Sequence, residues 1–247
     1  MPGVAGPSRR CYNPQAIGNI RFPRAPRKGS VFFDKHMDSY KHIPTQKMTT
    51  EQINEQYRKL LYIKETNGDS RILQRSKDLA ELVNALGHQL RSLFGPDAVA
   101  VLINLKGRVA IPLVEGVDRA ILEAEIAQKT SPLSLAVENN ESVYIPNLAG
   151  SEIYYSSLFL GHLDSVYRTT IKDYEIAPGG LTKTGLASVM VTPVFSDPYR
   201  KKHPLGVLLV GSKRKNAWDA LVDLPPLRQL ANFSGTALTR VLRKERA

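Results

Sequence analysis

Two apolar stretches near the end of the chain constrain its fold more than any other feature. "ASVMVTPVF", residues 187–195, and "PLGVLLVGSK", residues 204–213, are rich in β-branched and aliphatic side chains, and each has the length of a buried strand. Strands this apolar belong in a core. The short connection between them predicts an antiparallel pair. The basic side chains of that connection predict either a solvated turn or a contact with an acidic partner.

Two helices are predicted ahead of the first strands. Thr49 and Gln52 have the spacing of a capping box, so a helix is expected to begin there and to end at Asn67-Gly68. The residues that recur at helical spacing along it are Ile53, Tyr57, Leu60, Leu61 and Lys64. A second helix is expected within residues 70–94, with one apolar stripe formed by Ile72, Leu79, Leu82, Val83, Leu86, Leu90 and Leu93.

From residue 98 onward the pattern changes to short strands and helices. Strands are predicted at 98–105, 108–114 and 142–145, helices at 118–129 and 131–140, and a closing helix from Asp223. Residues 148–183 follow neither period and are rich in Tyr, Ser and Thr, so they are predicted to form a long functional loop. The order of elements predicts an α/β (α+β) sandwich with a largely antiparallel sheet.

Four stretches of this sequence resemble the GAF domain family. "SPLSLAVENNESVYIPNL", residues 131–148, is similar to the family's short helix and the strand that follows it. Residues 187–195 resemble its "s.l.vPl" strand, and residues 204–213 resemble its "GvL.l.s" strand. "LRQLANFSGTALTRVL", residues 227–242, resembles the closing helix. The match covers approximately residues 70–244.

The resemblance implies an architecture and a place for a ligand. It implies a central antiparallel sheet of about five or six strands with helices packed on one face, where the first and last helices often take part in a dimer interface. A ligand, where a family member binds one, lies on the other face. The expected organisation is an extended basic arm at 1–48, a connecting helix at 49–68, and a GAF-like domain at 69–247 with a lid insertion at 148–183.

The ligand classes of the family can be compared with individual residues. Its members that bind linear tetrapyrroles attach them through a lid cysteine, and its free methionine sulfoxide reductases need several cysteines. The single cysteine here is Cys11, in the arm. Of the cyclic-nucleotide signature, only Lys213 and Asp223 match. We therefore expect no covalent chromophore, no reductase activity and no cyclic-nucleotide site, while another small ligand beneath the lid stays an alternative.

Catalysis of another kind is not expected either. The sequence has no P-loop, no G-x-S-x-G and no H-E-x-x-H pattern. His88 is predicted to face solvent, because no cysteine or carboxylate one turn away completes a metal site. The lid residues that could do acid–base work are interpreted as solvated side chains, since no nucleophile accompanies them: His162, Asp164, Tyr167, Asp173 and Glu175. The sequence thus predicts no enzyme activity, no cofactor and no metal.

Basic residues indicate which partners the chain can attract. Its net charge is +11 and its pI is near 9.7, and no acidic residue precedes Asp34. Proline and glycine recur through residues 1–48, so this arm cannot bury a core by itself. It is interpreted as either a solvated tail or an anchor in a partner's groove. The candidate partner-binding residues are Arg9, Arg10, Arg21, Phe22, Arg24, Arg27, Lys28, Phe32, Phe33, Arg200, Lys201 and Lys202.

Together these features favour a non-catalytic structural or interaction subunit, held in a larger assembly by cations and aromatic anchors. An acidic protein lattice such as tubulin, in a cytoskeletal or ciliary (axonemal) complex, has a suitable charge. Nucleic acid is a second alternative, although no helix-turn-helix, RRM or KH pattern is present. Since no membrane span or export signal is seen, we expect no membrane and an intracellular, cytoplasmic location, with a mitochondrial presequence as a minor alternative.

Overall fold

The computed structural model of the chain describes residues 41–43, 48–69, 71–105, 108–128, 131–150, 152–157, 165–170, 179–196 and 204–244. The strands are β1 (Lys41–Ile43), β2 (Ala98–Leu105), β3 (Arg108–Glu115), β4 (Ser142–Ile145), β5 (Glu152–Ser157), β6 (Ser165–Thr170), β7 (Ser188–Val194) and β8 (Gly206–Ser212). The helices are α1 (Thr50–Ile63), α2 (Ile72–Arg75), α3 (Leu79–Phe94), α4 (Arg119–Ala127), α5 (Pro132–Asn139), α6 (Gly179–Lys183) and α7 (Ala220–Lys244).

The eight strands form one sheet in the order β1-β6-β5-β4-β7-β8-β2-β3, with every neighbouring pair antiparallel. The apolar strands β7 and β8 pair directly, with Ser188 opposite Ser212 and Val194 opposite Gly206. The predicted α/β class and antiparallel sheet are confirmed. The sheet extends beyond the expected five or six strands because β1, β5 and β6 lie in segments that the residue pattern did not assign.

The extra hairpin lies in the segment expected to be a loop. Within residues 148–183, β5 pairs with β4 on one side and with β6 on the other, and β6 in turn pairs with β1. Ile153, Tyr155 and Val166 are buried hydrophobic residues of this hairpin, and Ser156 is buried as well. Because Ser, Thr and Tyr fill most other positions, the two-residue period of a strand is weak in the sequence.

Alternate strand residues supply two separate cores, one on each face of the sheet. In β2, Val99, Val101 and Ile103 pack into the core that includes α3 and α7. The intervening residues Ala98, Ala100 and Leu102 pack into the core that includes α4, α5 and Leu181 of α6. The expected packing of helices on one face holds for α1, α2, α3 and α7, whereas α4, α5 and α6 cover the opposite face.

Local capping signals set several helix boundaries where the sequence predicted them. The Thr49 and Gln52 capping box is present, Ser131 caps α5, and Asn140 ends α5 in the left-handed conformation. After α1 the chain continues in π-helical turns over Lys64–Asp69. In the described residues, no helix is both long enough and apolar enough to cross a bilayer.

The second predicted helix needs a correction. It is divided into α2 and α3, because Ser76 leaves the helical conformation and the Asp78 side chain accepts a hydrogen bond from the Glu81 N–H and so begins a new helix. The stripe from Leu79 to Leu93 is buried as expected, whereas Ile72 is 44% exposed. The closing helix buries all the residues predicted to face inward: Leu227, Leu230, Ala231, Ser234, Leu238, Val241 and Leu242.

Candidate interaction site

Helix α1 packs against the N-terminal part of α7 through polar side chains. Gln52, Gln56 and Lys59 lie at i, i+4 and i+7 and therefore share one face of the helix. Their hydrogen-bond partners on α7 and just before it are the Asp219 carboxylate at 2.7 Å, the Leu221 carbonyl at 2.6 Å and the Asp223 carboxylate at 2.5 Å. We call this row of three contacts the polar seam. It fixes the rotation of α1 about its own axis.

The middle contact of the seam compensates for a proline. Pro225 lies inside α7 and has no N–H to donate to the carbonyl of Leu221, four residues earlier. The Gln56 side-chain amide donates to that carbonyl instead. A buried carbonyl left without a donor costs about 1–3 kcal/mol, so Gln56 removes a penalty that the proline would otherwise impose on α7.

The third contact is a buried ion pair. The side chains of Lys59 and Asp223 are only 11% and 5% exposed, and the Lys59 ammonium also lies 5.7 Å from the centroid of the Phe94 ring. Burial raises the pKa of the Asp223 carboxyl, and the attraction of Lys59 offsets part of that rise. Asp223 further accepts a hydrogen bond from the Asp219 N–H at 2.8 Å. Both ends of the pair are therefore held in place.

The polar seam turns three apolar side chains of α1 outward, whereas Ile63 in its last turn is fully buried in the core that includes α3 and α7. At 100° per residue, Ile53, Tyr57 and Leu61 are centred about 130° around the helix from the seam. Their exposed fractions are 50%, 65% and 37%. Within the described chain, only one other large hydrophobic residue, Ile72, is exposed to this degree. We call Ile53, Tyr57 and Leu61 the apolar stripe. An amphipathic helix ordinarily faces its apolar side toward the core, so this orientation is unusual.

The two residues that match the cyclic-nucleotide signature, Lys213 and Asp223, form contacts with other residues and not with each other. Asp223 pairs with Lys59, whereas Lys213 is exposed and its backbone N–H donates to the Asp97 carboxylate at 2.8 Å. Trp218 supports the start of α7, since its indole N–H donates to the Phe94 carbonyl at 2.9 Å. In this chain these positions thus hold α7 against the rest of the domain.

The remaining sequence candidates are distributed as follows. His88 is exposed on α3, as predicted, and Tyr167 lies in β6 opposite Tyr155. Cys11, His162, Asp164, Asp173 and Glu175 lie outside the described residues, as do all twelve predicted partner-binding residues. Among the residues that the structure describes, no three His, Cys, Asp or Glu side chains are grouped closely enough to hold a metal ion.

The face on which GAF domains bind ligands is occupied here by the chain's own side chains. Leu133, Ile145 and Tyr155 are each at most 1% exposed, and Leu181 of α6 is fully buried beside them. A cavity on the other face, lined by residues of α3, β2, β8 and α7, has a volume of about 10 Å³, which is at the lower limit for one water molecule. The described side chains are therefore closely packed in these regions of both faces.

The polar seam could not be found by sequence reasoning. Residues 52 and 219 are 167 positions apart, and the capping-box motif that includes Gln52 does not indicate a contact with Asp219. One signal was present in the sequence: a Pro-Pro pair within a predicted helix leaves carbonyls that need donors from elsewhere. The spacing of Gln52, Gln56 and Lys59 on one face of α1 is compatible with that need, but many solvent-exposed helices show the same spacing.

The fold places the chain in the class of GAF-like α/β domains. The antiparallel sheet and the packing of the long helices α3 and α7 on one of its faces are what the resemblance implied, whereas α4, α5 and α6 on the opposite face were not expected. Neither a family model nor a curated protein sequence matches the chain.

Solved structures similar to this one are GAF domains and a reductase. The phycoerythrobilin-bound GAF domain of a cyanobacterial phytochrome is 16% identical, with a TM-score of 0.49 over 80% of this chain and 100% of that one. A GAF domain of a Coxiella burnetii phosphoenolpyruvate-protein phosphotransferase is 11% identical, with the same score and coverage. The free methionine-R-sulfoxide reductase of Neisseria meningitidis is 15% identical, with a TM-score of 0.45 over 80% and 95%. Similarity at this level says nothing about a ligand or a reaction here.

Proposed function

We propose that this chain is a non-catalytic, GAF-like interaction subunit of a larger protein assembly, and that α1 provides one of its contact surfaces. The observation that carries the proposal is the apolar stripe. A helix held to the domain by polar contacts while it presents Ile53, Tyr57 and Leu61 to solvent has the pattern of an interface, because exposed apolar residues that line up on one element are a feature of binding sites.

The stripe can supply a useful part of a binding energy. Complete burial of an Ile, Leu or aromatic side chain contributes about 1.5–3 kcal/mol. Because the three side chains are already partly covered, their burial by a partner would contribute about 3 kcal/mol in total. That amount corresponds to roughly a hundredfold change in affinity. Tyr57 is the most exposed of the three, and tyrosine is enriched among the residues that dominate interface energies.

The arm and the basic connection extend this proposal to further contacts. Their cations and aromatic residues give the chain a means of binding an acidic protein surface, and the net charge of +11 supports such a partner. A cytoskeletal or ciliary lattice, tubulin among them, is the kind of assembly that we propose. Association of two copies through the first and last long helices of the domain, α3 and α7, is a further proposal.

The test replaces the stripe and leaves the seam intact. A tagged full-length chain is expressed in cells of the organism from which it comes. This chain carries three substitutions together: Ile53→Gln, Tyr57→Gln and Leu61→Gln. We expect the set of proteins that co-purifies with the wild-type chain to be reduced at least tenfold, measured by quantitative mass spectrometry. Folding should change little, because exposed substitutions usually alter stability by less than about 0.5 kcal/mol each. Sedimentation of the purified chains shows whether self-association changes as well.

Ile72→Gln is the matched control. Ile72 is 44% exposed on α2 and lies outside the stripe, so this variant makes the same kind of change at another exposed apolar position. It should retain the co-purifying proteins. If the triple variant folds and retains the same proteins in the same amounts, α1 is not a contact surface and the proposal is wrong.

A further inference from the structure

A groove at the C-terminal end of α7 is lined by cations and hydroxyl groups. Its volume is about 410 Å³, and the residues that line it are Ser196, Thr236, Thr239, Arg240, Arg243 and Lys244. These six side chains offer three hydroxyl groups and three positive charges, and none is acidic. Among the described residues, none of the three cations forms an ion pair.

The groove exists because α7 approaches the end of β7 very closely. Gly235 lies so near the Phe195 carbonyl that a Cβ atom added to the glycine would be 1.7 Å from the carbonyl oxygen. Ser196, the next residue, is thereby brought beside the face of α7 that carries the threonines and the cations. The residues of α7 in the groove fall within one side of the helix, since 236, 239, 240, 243 and 244 are related by spacings of three and four.

Arg240 is held in place at the base of this groove. Its guanidinium donates to the Ser76 carbonyl at 2.6 Å, which fixes the long side chain against the turn between α2 and α3. Its Nε–H is buried and has no hydrogen-bond partner in the part of the chain that the structure describes. A guanidinium fixed in this way binds an anion at a smaller entropic cost than a freely rotating arginine does.

A basic last turn alone would not indicate a ligand, because cations near a helix C-terminus interact favourably with the helix dipole. The groove differs in combining a fixed arginine with hydroxyl donors. Residues 236–244 span about 12 Å along the helix axis, which is the length of about four residues of extended peptide. A single small anion would need donors that converge on one point, whereas here they are spread along the groove.

Nucleic acid fits this arrangement less well than an acidic peptide. A protein that binds a duplex typically neutralises many phosphates along its length, and a single strand is bound with aromatic platforms for its bases. This groove has three cations and no aromatic residue in its lining. Carboxylates on successive side chains of an extended segment match both the charges and their spacing.

We propose that the groove binds an acidic segment of a partner protein, in an extended conformation, with carboxylates on Arg240, Arg243 and Lys244 and hydroxyl donors from Ser196 and Thr236, since the Thr239 hydroxyl already donates to the Gly235 carbonyl at 2.8 Å. The proposal rests on the interaction function given above and adds the chemistry of one partner contact. It is independent of the apolar stripe, because the two surfaces share no residue.

The experiment titrates the full-length chain into a fluorescein-labelled peptide of six glutamates and follows fluorescence anisotropy at low and moderate salt. The variant Arg243→Glu/Lys244→Glu is expected to weaken binding at least tenfold. The matched control is Arg214→Glu/Lys215→Glu, which reverses the same two residue types at exposed positions after β8 and changes the net charge equally. It should weaken binding less than threefold. If charge reversal disturbs folding, Arg243→Gln/Lys244→Gln replaces the first variant. It is expected to weaken binding three- to tenfold.

Three outcomes would overturn the proposal. Equal losses in the groove variant and the control would mean that only net charge attracts the peptide. Absence of saturable binding at wild-type chain concentrations up to about 1 mM, the weakest affinity expected of a useful contact, would mean that there is no site. Tighter, groove-dependent binding of a hexauridine RNA would identify the site as one for nucleic acid.

The result does not depend on the outcome for α1. The triple variant of the apolar stripe should bind the glutamate peptide as the wild-type chain does. If the triple variant retains its co-purifying proteins while Arg243→Glu/Lys244→Glu no longer binds the peptide, the proposed role of α1 is contradicted and the groove proposal is supported. If the triple variant loses its co-purifying proteins while Arg243→Glu/Lys244→Glu still binds the peptide, the groove proposal is contradicted and the proposed role of α1 is supported.

Discussion

At the scale of a single residue, the buried carboxyl group of Glu125 holds the short helix α6 by accepting hydrogen bonds from its backbone. Its side chain is buried on α4, and one carboxylate oxygen accepts the backbone N–H groups of Gly180 at 2.7 Å and Leu181 at 3.3 Å. The other oxygen, Oε2, is buried and has no hydrogen bond to any described residue. Burial raises the pKa of Glu125 above its usual value near 4.5, and the two hydrogen bonds oppose that rise.

The variant Glu125→Gln should be at least as stable as the wild-type chain at pH 8. A raised pKa means that the folded state holds this proton more tightly than the unfolded state does. Stability is therefore highest where Glu125 is protonated, and it falls as pH rises from about 4.5 through the folded-state pKa. Glutamine keeps the acceptor and has no charge, so this fall should disappear. Denaturant unfolding of the wild-type chain and of Glu125→Gln at pH 5 and at pH 8 measures how the free energy of unfolding of each changes with pH.

Glu125→Ala is the informative comparison for that prediction, because it removes the acceptor as well as the charge. It should be less stable than Glu125→Gln at both pH values, by about 1 kcal/mol or more. A Glu125→Gln variant that is clearly less stable than the wild-type chain at pH 8 would show that the charge itself holds α6, contrary to the argument from burial.

At the scale of elements, the contact between α7 and β7 depends on one missing side chain. Gly235→Ala would place a methyl group against the Phe195 carbonyl oxygen and carbon, 1.7 Å and 2.8 Å away. Alanine favours a helix over glycine by about 1 kcal/mol, but backbone atoms cannot rotate aside. We expect a net loss of about 1–3 kcal/mol in the free energy of unfolding, measured by denaturant titration.

Gly87→Ala in α3 is the control for this prediction. Its added methyl group would meet the end of the Leu113 side chain at 2.6 Å, and a leucine end can rotate or shift. The loss should be smaller than that of Gly235→Ala, because the helix-propensity gain is the same in both. Equal losses would mean that the close approach of α7 to β7 is not the reason for the effect.

At the scale of the whole molecule, the arm and the domain are joined through the sheet. β1 lies within the arm predicted at 1–48 and pairs with β6, with Lys41 opposite Arg168 and Ile43 opposite Val166. The sheet therefore connects a segment that precedes α1 to the hairpin inserted between α5 and α6. A boundary placed at residue 48 from composition therefore separates two strands, β1 and β6, that pair with each other.

Two truncations distinguish the roles of the arm and of β1. Deletion of residues 1–47 removes β1 and should speed hydrogen exchange in β6, while deletion of residues 1–40 should leave β6 protected. Both should change the global free energy of unfolding by no more than about 1–2 kcal/mol, since β1 is three residues long. Both should weaken association with the assembly if the arm contributes contacts.

Hydrogen exchange followed by mass spectrometry, together with chemical denaturation, measures these effects. Unchanged exchange in β6 after deletion of 1–47 would show that β1 does not hold the hairpin. A much larger loss of stability after deletion of 1–40 would mean that the arm belongs to the core. Full association of the shorter chains would contradict the proposed role of the arm residues.

Most boundaries of the core elements could be predicted from sequence because their causes are local. The side chains of Thr49 and Ser131 cap helices through residues three positions away, and β7 and β8 are mostly apolar and are buried along their whole length. Ile72 was misplaced for a local reason as well, since the cap at Asp78 was not recognised. The strands β5 and β6 were missed because their apolar period is short and interrupted.

The sequence by itself determined the α/β class and the positions of the main helices and strands, because each follows from spacing within a few residues. The GAF-like arrangement was implied by the resemblance of four stretches to that family. Only the tertiary structure decided which side of α1 faces solvent. That choice depends on Asp219, Leu221 and Asp223, more than 160 positions away. The same holds for the basic groove, which requires α7 to meet the end of β7. Contacts between distant segments create both surfaces, and no local pattern encodes them.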